Sequence, residues 1–276
     1  MNPRPRYNVV VPTAYGMMIV NRNDWTEKDG QRFGVGLELL ETGTYAQREL
    51  DALAALVRCC GPDPVLLDIG ANIGVHSLLF SGLAGTRGRV HAFEAQRILF
   101  QMLAGNLALN SIENVYARQV ALGAAAGMLR LQPVDYAQPW NFGGMGLIEE
   151  SPDPQFARGT PERAAADRQE LVEVATIDSF ALPQVDFMKI DVEGMELDVL
   201  RGGVATIERD RPPMQLEWLE RDQGALPAYL LDTLGYRVYK AGLNLVCFPA
   251  ERQSPHISGA QELSLDLLRA AGFELP

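Results

Sequence analysis

The chain has 276 residues, of which 47% are hydrophobic, so it is long enough to bury the core of one large domain. Its formal net charge of −11 argues against a partner with a phosphate backbone, and we expect no nucleic-acid substrate. The three cysteines show neither metal-ligand spacing nor a disulfide framework, which favours a reducing, cytoplasmic location. No stretch approaches the roughly 20 apolar residues that cross a membrane, so we expect no membrane partner, while a homo-oligomer is left open.

We predict a single domain over residues 1–276, with an N-terminal extension at about 1–60. Arginines precede an apolar run at residues 9–20, which superficially resembles a secretory signal, but Pro12 interrupts it and no small-residue cleavage site follows. We therefore predict two short strands and a turn in this run. Apolar residues then recur at helical spacing over residues 44–58, which predicts an amphipathic helix.

Strands and helices alternate along the rest of the chain, which predicts an α/β fold with a doubly wound, parallel sheet. The predicted strands cover residues 65–69, 89–94, 115–122, 171–177, 185–192 and 214–218, and the predicted helices cover residues 73–83, 98–109, 195–201 and 228–234. A hairpin is predicted over residues 235–248, and it closes the sheet. The tail at about residues 254–276 carries a last predicted helix at 263–271, which Gly272 ends.

The regular pattern fails between about residues 133 and 169, where prolines and glycines recur. An unstructured stretch of this length is uncommon in a compact domain unless it is functional or disordered. Tyr136, Trp140, Phe142 and Phe156 are unusual residues for a disordered segment. A lid over a substrate and a solvated insertion therefore stay equally open from the sequence.

The most informative motif is a glycine loop that follows an apolar strand and opens a helix. It reads Asp68-Ile69-Gly70-Ala71-Asn72-Ile73-Gly74, and Glu94 ends the next strand twenty residues after the last glycine. Glycines allow a backbone to approach a ligand closely, and a carboxylate at the second strand end can bind both hydroxyls of a ribose. This order of elements predicts a site for an adenosine.

The same loop distinguishes between two classes of adenosine cofactor. Aligning the dinucleotide fingerprint on Gly70 places Asp68 and Ile73 where its first and third glycines belong. A carboxylate at this position would repel a pyrophosphate, whereas it would attract the sulfonium and ammonium groups of S-adenosylmethionine. The loop therefore favours S-adenosylmethionine over a nicotinamide dinucleotide, and a P-loop is excluded because no Gly-Lys-Ser/Thr follows.

Acidic residues end four of the predicted strands, at the edge where open α/β sheets bind their ligands. They are Asp68, Glu94, Asp191 with Glu193, and Glu217. Each of them alone could be a helix cap or a solvated rim residue. Side-chain alternation places Lys189, Asp191 and Glu193 on one face of their strand. Lys189 could form a buried ion pair that only supports the sheet end, or it could tune the charge of a carboxylate that faces a donor or a substrate.

Together these motifs resemble the FkbM family of S-adenosylmethionine-dependent methyltransferases. The resemblance rests on the glycine loop, Phe93-Glu94, Thr176-Ile177-Asp178 and Lys189-Ile190-Asp191-Val192-Glu193-Gly194-Met195-Glu196, and it covers about residues 30–248. It implies a class I methyltransferase fold, which is Rossmann-like, with a mostly parallel seven-stranded sheet and an antiparallel last strand. It also implies S-adenosylmethionine as cofactor and O-methylation of a hydroxyl on a sugar or secondary metabolite.

The resemblance further implies which positions of this chain contact the cofactor. The glycine-loop positions are Asp68, Gly70, Ala71, Asn72 and Gly74, and the ribose position is Glu94, followed by Ala95. The remaining positions are Asn106 and Ala121 at the adenine, Tyr45 and Glu49 at the methionine moiety, and Asp191 near the methyl-transfer end. The insertion at 133–169 fits the family pattern poorly, so the substrate is not identified.

Methyl transfer to a hydroxyl requires the proton of that hydroxyl to leave. Asp191, Glu193 and His76 are the candidate bases, because a desolvated carboxylate or imidazole can have its pKa moved toward neutrality. Lys189 is included among the catalytic candidates as the residue that tunes the local charge. Alignment of the two reactants could supply much of the rate without a strong base.

A divalent metal is possible but not favoured. The candidate ligands are Asp178, Asp191, Glu193 and Glu217, which are of the oxygen type that Mg²⁺ prefers, yet no tight acidic ligand loop is present. We therefore predict an O-methyltransferase without a metal that acts on a small hydroxylated molecule. The alternatives are an N-methyltransferase of the same fold and a non-catalytic module that binds a nucleoside or a partner protein.

Overall fold

An extension built of short strands and two helices precedes the central sheet. The computed structural model describes residues 6–131, 133–144, 170–220, 222, 224–252 and 259–273. The elements of the extension are β1 (Asn8–Thr13), β2 (Gly16–Asn21), β3 (Thr26–Lys28), β4 (Gln31–Phe33), α1 (Val35–Thr42) and α2 (Gln47–Arg58). β1 and β2 pair antiparallel through a turn at residues 14–15, which confirms the two strands predicted from residues 9–20. The helix predicted at residues 44–58 is confirmed as α2.

Alternating strands and helices form the rest of the described chain. The first part contains β5 (Val65–Ile69), α3 (Val75–Ala84), β6 (Arg89–Glu94), α4 (Arg97–Leu109), β7 (Val115–Gln119), β8 (Ala121–Leu122) and β9 (Gly127–Leu131). The second part contains β10 (Glu170–Ala175), a 3₁₀-helix (Ile177–Phe180), β11 (Phe187–Ile190), α5 (Glu196–Arg201), α6 (Val204–Asp210) and β12 (Met214–Glu217). The last part contains α7 (Ala225–Ala228), a π-helical turn (Tyr229–Thr233), β13 (Tyr236–Ala241), β14 (Asn244–Pro249), β15 (Gln261–Leu263) and α8 (Leu265–Ala270). None of these described helices is long and apolar enough to span a membrane.

The main sheet has the strand order β7-β6-β5-β11-β12-β14-β13-β15. The five strands from β7 to β12 are parallel, and β14 runs antiparallel between β12 and β13. This order confirms the predicted α/β fold with a mostly parallel sheet and a reversed last core strand. Within the described residues the sheet has eight strands rather than the predicted seven, because β15 adds an edge strand in which Leu263 pairs with Val238.

One predicted strand is divided between two sheets. Gln119 is the last residue of β7 that pairs with β6, and after Val120 the chain pairs with β10 instead. β8, β10 and β9 form a separate three-stranded sheet, to which the strand predicted at residues 171–177 belongs. The single strand predicted at residues 115–122 is therefore wrong. Its apolar run continues through the change of sheet, so the sequence pattern shows no break there.

The main sheet separates two apolar cores, and β11 contributes side chains to both of them. Phe187 packs against Phe80 on the side of α2 and α3, whereas Met188 and Ile190 pack on the side of α5 and α6. The four residues of β11 are buried, which explains their near-continuous apolar sequence. The cation of Lys189 in this strand therefore requires a charged partner.

Candidate active site

The glycine loop lies at the switch point of the sheet, where the chain leaves β5 for β6 and later returns to β11 on the other side of β5. It spans residues 70–74, and Gly70, Asn72 and Gly74 have positive φ values of 80°, 51° and 95°. A Cβ atom on Gly70 would overlap the backbone oxygen of Asp191, so only glycine fits where β11 ends. The close approach of the chain at the end of β11 is therefore one reason for a glycine at position 70, independent of a ligand.

Glu94 ends β6 beside the glycine loop and is 6% exposed. Its Oε2 accepts a hydrogen bond from the backbone N–H of Asn72 (2.8 Å), and its Oε1 accepts one from the N–H of Gln96 (2.8 Å). Burial raises the pKa of Glu94 to about 7, although the two N–H donors act in the opposite direction. Each carboxylate oxygen keeps further lone-pair capacity, so Glu94 can also accept hydrogen bonds from ribose hydroxyls.

Lys189 brings a buried positive charge to the same place and is 2% exposed. Its Nζ lies 3.0 Å from Oδ2 of Asp191 and 3.9 Å from Oδ1 of Asp68, and it donates a hydrogen bond to the backbone oxygen of Gly70 (3.4 Å). Burial lowers the pKa of Lys189, but the two carboxylates outweigh this effect and the pKa lies above its usual value. The buried ion pair that the sequence left open is present, and it fixes Asp191 at the end of β11.

The structure places Asp68 behind the glycine loop rather than in the cleft. Its side chain is fully buried, and its Oδ2 accepts a hydrogen bond from the hydroxyl of Ser77 in the first turn of α3 at 2.6 Å. Burial raises the pKa of Asp68, while Lys189 and Ser77 lower it. The expected direct contact between Asp68 and a cofactor therefore needs correction, because the carboxylate is enclosed by protein groups and acts on the cleft through Lys189.

Asn106 and Gly74 were also expected at the cofactor, but neither lines the cleft. Asn106 is fully buried; its Nδ2 donates a hydrogen bond to the backbone oxygen of Ile73 (2.8 Å), and its Oδ1 accepts one from the N–H of Ile19 (2.5 Å). Asn106 thus ties β2 to the glycine loop and is not part of an adenine wall. Gly74 has a φ of 95°, which side chains rarely adopt, and it packs against Leu103 of α4, so its role in the described structure is in the backbone of the loop.

His76 and Tyr45 line the cleft, whereas Glu49 does not. His76 is 7% exposed, and its Nε2 has no hydrogen-bond partner in the part of the chain that is described. Oε1 of Glu49 lies 3.9 Å from this nitrogen and accepts a hydrogen bond from Nε2 of Gln215 (2.9 Å). Burial, followed by the charge of Lys189, lowers the pKa of His76 well below its usual range, so the imidazole is neutral near pH 7.

Asp191, Glu193 and Glu217 form a cluster in the cleft that we name the acidic rim. One oxygen of each carboxylate lies within 4.8 Å of the others, so the three could share a divalent ion. Burial, followed by the charges of Asp191 and Glu193, raises the pKa of Glu217 to about 10, so this carboxyl is protonated near neutral pH. Asp178, the fourth metal ligand considered from the sequence, lies elsewhere and accepts a hydrogen bond from the N–H of Thr206 in α6 (2.9 Å).

Two residues that organise the cleft, Glu196 and Gln96, are not among the predicted site residues. Glu196 is 6% exposed, and its carboxylate accepts hydrogen bonds from the N–H groups of Val192 (3.0 Å) and Gly194 (3.1 Å). It thereby fixes the turn that presents Glu193, whose φ is 55°. Gln96 lines the cleft just before α4. Both residues follow a strand-end acid by two or three positions, a spacing that lets a polar group fold back onto the strand end and that could have identified them.

The cleft joins these groups in one space of about 1040 Å³, its solvent-filled mouth included. The predicted site residues that line it are Tyr45, Gly70, Ala71, Asn72, His76, Glu94, Ala95, Ala121, Lys189, Asp191 and Glu193. Its apolar lining includes Phe93, Leu99, Val120, Leu122 and Met195. An adenine ring and a methionine chain both present apolar surface that such a lining can cover.

The charges of the cleft distinguish between cofactors. Among the described lining residues, Glu94, Asp191 and Glu193 face the cation of Lys189, whereas Glu217 is protonated and His76 is neutral near pH 7. This set suits a nucleoside that carries a positively charged sulfur and an ammonium group, and it repels a diphosphate. The residues present therefore fit S-adenosylmethionine.

Several known proteins are similar to this chain. Residues 68–240 match the family model for the methyltransferase FkbM domain. The methyltransferase sdnD of Sordaria araneosa is 29% identical over an alignment of 161 residues, and the match covers 51% of this chain and 60% of that protein. The hexuronic acid methyltransferase AglP of Haloferax volcanii is 26% identical over 157 residues, which are 56% of each chain. The crystal structure of an FkbM methyltransferase from Methylobacillus flagellatus is 20% identical with a TM-score of 0.47, covering 68% of this chain and 44% of that chain.

The chain thus spans 56% to 60% of the length of these two curated relatives. The residues matched by the family model include the glycine loop, Glu94, Lys189 and the acidic rim. The match confirms the resemblance seen in the sequence and supports S-adenosylmethionine as the cofactor. Because the family model covers more than half of the chain, the protein belongs to the FkbM methyltransferase family.

Proposed function

We propose that this protein transfers the methyl group of S-adenosylmethionine to a hydroxyl of a small molecule such as a sugar or a secondary metabolite. The observation that carries the proposal is the acidic rim, which shares one cleft with Glu94 and the glycine loop. The relative from Haloferax volcanii is named for a hexuronic acid, and the proposal extends that kind of hydroxylated acceptor to this chain.

The cleft lining favours one orientation of the cofactor. Glu94 would accept hydrogen bonds from the ribose hydroxyls, and Ala121 and Leu122 would contact the adenine. Asp191 and Glu193 would stabilise the positive charges at the methionine end. When bound, S-adenosylmethionine supplies a methyl group on a positively charged sulfur, which a nucleophilic oxygen can attack.

The acceptor hydroxyl must lose its proton as its oxygen forms the new bond, and we consider three side chains of the cleft lining as candidates to receive it. Asp191 is favoured because it lines the cleft where β11 ends and its carboxylate is held in position by Nζ of Lys189 at 3.0 Å. Glu193 belongs to the same rim, and His76 lines the cleft as a neutral imidazole. Holding the two reactants in line would supply much of the remaining rate.

The experiment compares paired acceptors that differ only in a hydroxyl or an amine at one position. The protein and S-adenosylmethionine are incubated with hexuronic acids and with the hexuronic acids in which one hydroxyl is replaced by an amine, and methylated products are detected by mass spectrometry. We expect methylated alcohols, with a rate reduced about 100-fold or more in Asp191→Asn. Asp266→Asn, which changes a carboxylate 96% exposed in its side chain, is the control and should keep the wild-type rate.

Two other outcomes would replace the proposal. Methylation of the amines alone would favour an N-methyltransferase, because the acidic rim could equally bind an ammonium group. Saturable binding of S-adenosylmethionine without methylation of any acceptor would favour a non-catalytic module that recognises a nucleoside.

A further inference from the structure

Two parts of the chain outside the βα units help to build the cleft. Val35, in the N-terminal extension, lies outside the matched family model and lines the cleft. Asn141 and Gly144, in segment 133–144, line it as well. The extension and segment 133–144 meet at one buried carboxylate, that of Asp24.

Asp24 follows β2 and is 1% exposed. Its Oδ2 accepts a hydrogen bond from the N–H of Gly36 in α1 (3.0 Å), and its Oδ1 accepts one from the N–H of Phe142 (3.1 Å). A backbone bridge between Asp24 and Trp140 extends the same contact. One carboxylate thus joins the first turn of α1 to segment 133–144.

The packing around Asp24 shows that the start of α1 is built against it. A Cβ atom on Gly36 would lie 2.6 Å from Cβ of Asp24, and a Cβ atom on Gly34 would lie 2.5 Å from its backbone oxygen. Glycine is unfavourable inside a helix, so the close approach of Asp24 and of the backbone oxygen of Asn21, which would lie 2.5 Å from a Cβ atom on Gly36, explains its presence at position 36. The contact therefore requires small residues at positions 34 and 36 opposite Asp24.

The contact continues from segment 133–144 to the ribose side of the cleft. The backbone oxygen of Phe142 accepts a hydrogen bond from Nε2 of Gln96 (2.9 Å), and the N–H of Gln96 donates to Oε1 of Glu94 (2.8 Å). Next to Phe142, a Cβ atom on Gly143 would overlap the side-chain amide of Asn72 in the glycine loop. A displacement of Phe142 would therefore reach the groups that surround Glu94.

We propose that Asp24 is a positioning residue, which holds segment 133–144 against the glycine loop and thereby encloses the S-adenosylmethionine site. The identity of the ligand rests on the proposed function, whereas the hydrogen bonds of Asp24 are independent of it. A carboxylate accepts from both N–H donors. An asparagine at this position would turn its NH₂ group toward one of them and leave a buried donor unpaired.

The test combines hydrogen exchange of the ligand-free protein, resolved by residue with NMR, with calorimetric titration of S-adenosylmethionine. In the Asp24→Asn variant, the N–H of Phe142 should exchange about tenfold faster than in the wild type. The variant should also bind S-adenosylmethionine about tenfold more weakly, as expected for the loss of one buried hydrogen bond. Glu41→Gln makes the same chemical change at an exposed position of α1 and should alter neither quantity. The N–H of Leu67, in the centre of the sheet, reports whether the fold is intact.

The outcomes separate this proposal from the proposed function. If the N–H of Phe142 exchanges at the wild-type rate in Asp24→Asn, the positioning role is overturned for any ligand. Faster exchange of this N–H with an unchanged affinity for S-adenosylmethionine would overturn it as well. Absence of S-adenosylmethionine binding in the wild type, with faster exchange in the variant, would contradict the proposed function and keep Asp24 as the residue that positions segment 133–144. If Asp24→Asn also exposes the N–H of Leu67, Asp24→Ser is measured in the same way, since its shorter side chain cannot reach both donors.

Discussion

Gly70 and Asp191 lie in direct contact where β5 and β11 end, with no space for a side chain on Gly70. The N–H of Asp191 also donates a hydrogen bond to the backbone oxygen of Ile69 at 2.9 Å. The loop proposed to hold the cofactor and the acid proposed to face its positive charge are thus fixed against each other by main-chain atoms. The geometry of this part of the site is a property of the sheet.

The contact predicts that Gly70→Ala destabilises the protein. Overpacking typically costs about 1–3 kcal/mol, and the positive φ adds to that cost because alanine avoids this region. Unfolding in urea measures the free energy, and Gly82→Ala is the control. Gly82 lies inside α3 with open space around it, so alanine there should be neutral or stabilising by up to about 1 kcal/mol. Equal stabilities of the two variants would show that the close approach at Gly70 does not exist.

The buried ion pair predicts strong coupling between Lys189 and Asp68. Lys189→Met removes the cation and leaves the fully buried carboxylate of Asp68 with the hydroxyl of Ser77 but no positive charge, which should cost about 3–5 kcal/mol. Adding Asp68→Asn removes that charge, so the double variant should recover a large part of the loss. A double-mutant cycle measured by denaturant unfolding tests this expectation. Strictly additive losses would mean that the two side chains do not interact.

The position of Glu94 predicts its effect on cofactor binding. Glu94→Gln removes a charged acceptor and should weaken S-adenosylmethionine binding about 10- to 100-fold. Because burial raises the pKa of Glu94 to about 7, its carboxylate forms as the pH rises, and wild-type affinity should increase from about pH 6 to about pH 8. Calorimetric titration measures both effects, with the exposed Glu113→Gln as control. Equal affinity of Glu94→Gln and the wild type would remove Glu94 from the ribose site.

The raised pKa of Glu217 predicts how stability depends on pH. Its folded-state value of about 10 lies above the ordinary value of 4.5, so the folded protein holds a proton that the unfolded chain releases. The resulting stabilisation is present below about pH 4.5 and is lost as the pH rises toward 10. Glu217→Gln cannot ionise, so its free energy of unfolding relative to the wild type should increase from about pH 5 to about pH 9. Denaturant unfolding at several pH values measures this difference, with the exposed Glu113→Gln as control. The difference between Glu113→Gln and the wild type should stay constant over this pH range. An equally constant difference for Glu217→Gln would contradict the prediction.

The sequence predicts the features that depend on local pattern. The glycine loop, the strand that precedes it and Glu94 follow from periodicity and spacing along one short stretch. It does not predict how deep a strand-end acid lies. Asp68 and Asp191 both lie at the end of an apolar run. Asp68 is nevertheless enclosed behind the glycine loop, whereas Asp191 lines the cleft. The burial of each carboxylate is set by contacts with α3 and β11, which the local sequence does not show.

Long-range contacts account for the rest of what the sequence does not predict. The role of Asp24 depends on Phe142, which is 118 residues further along the chain. The expected adenine contact of Asn106 is replaced by hydrogen bonds to Ile19, at a sequence separation of 87 residues. Such partners leave no periodic signal, so they are visible only once the chain is folded. Most of the insertion at 133–169, for which a lid and a solvated insertion stay equally open, lies outside the described residues, at positions 145–169.

Above all, we expect the acidic cleft beside the glycine loop to bind a positively charged methyl donor in preference to a dinucleotide. Calorimetric titration of the wild-type protein with S-adenosylmethionine and, separately, with NAD⁺ tests it most directly. We expect saturable binding of S-adenosylmethionine and no binding of NAD⁺ at the same concentrations. Saturable binding of NAD⁺, with none of S-adenosylmethionine, would contradict the account.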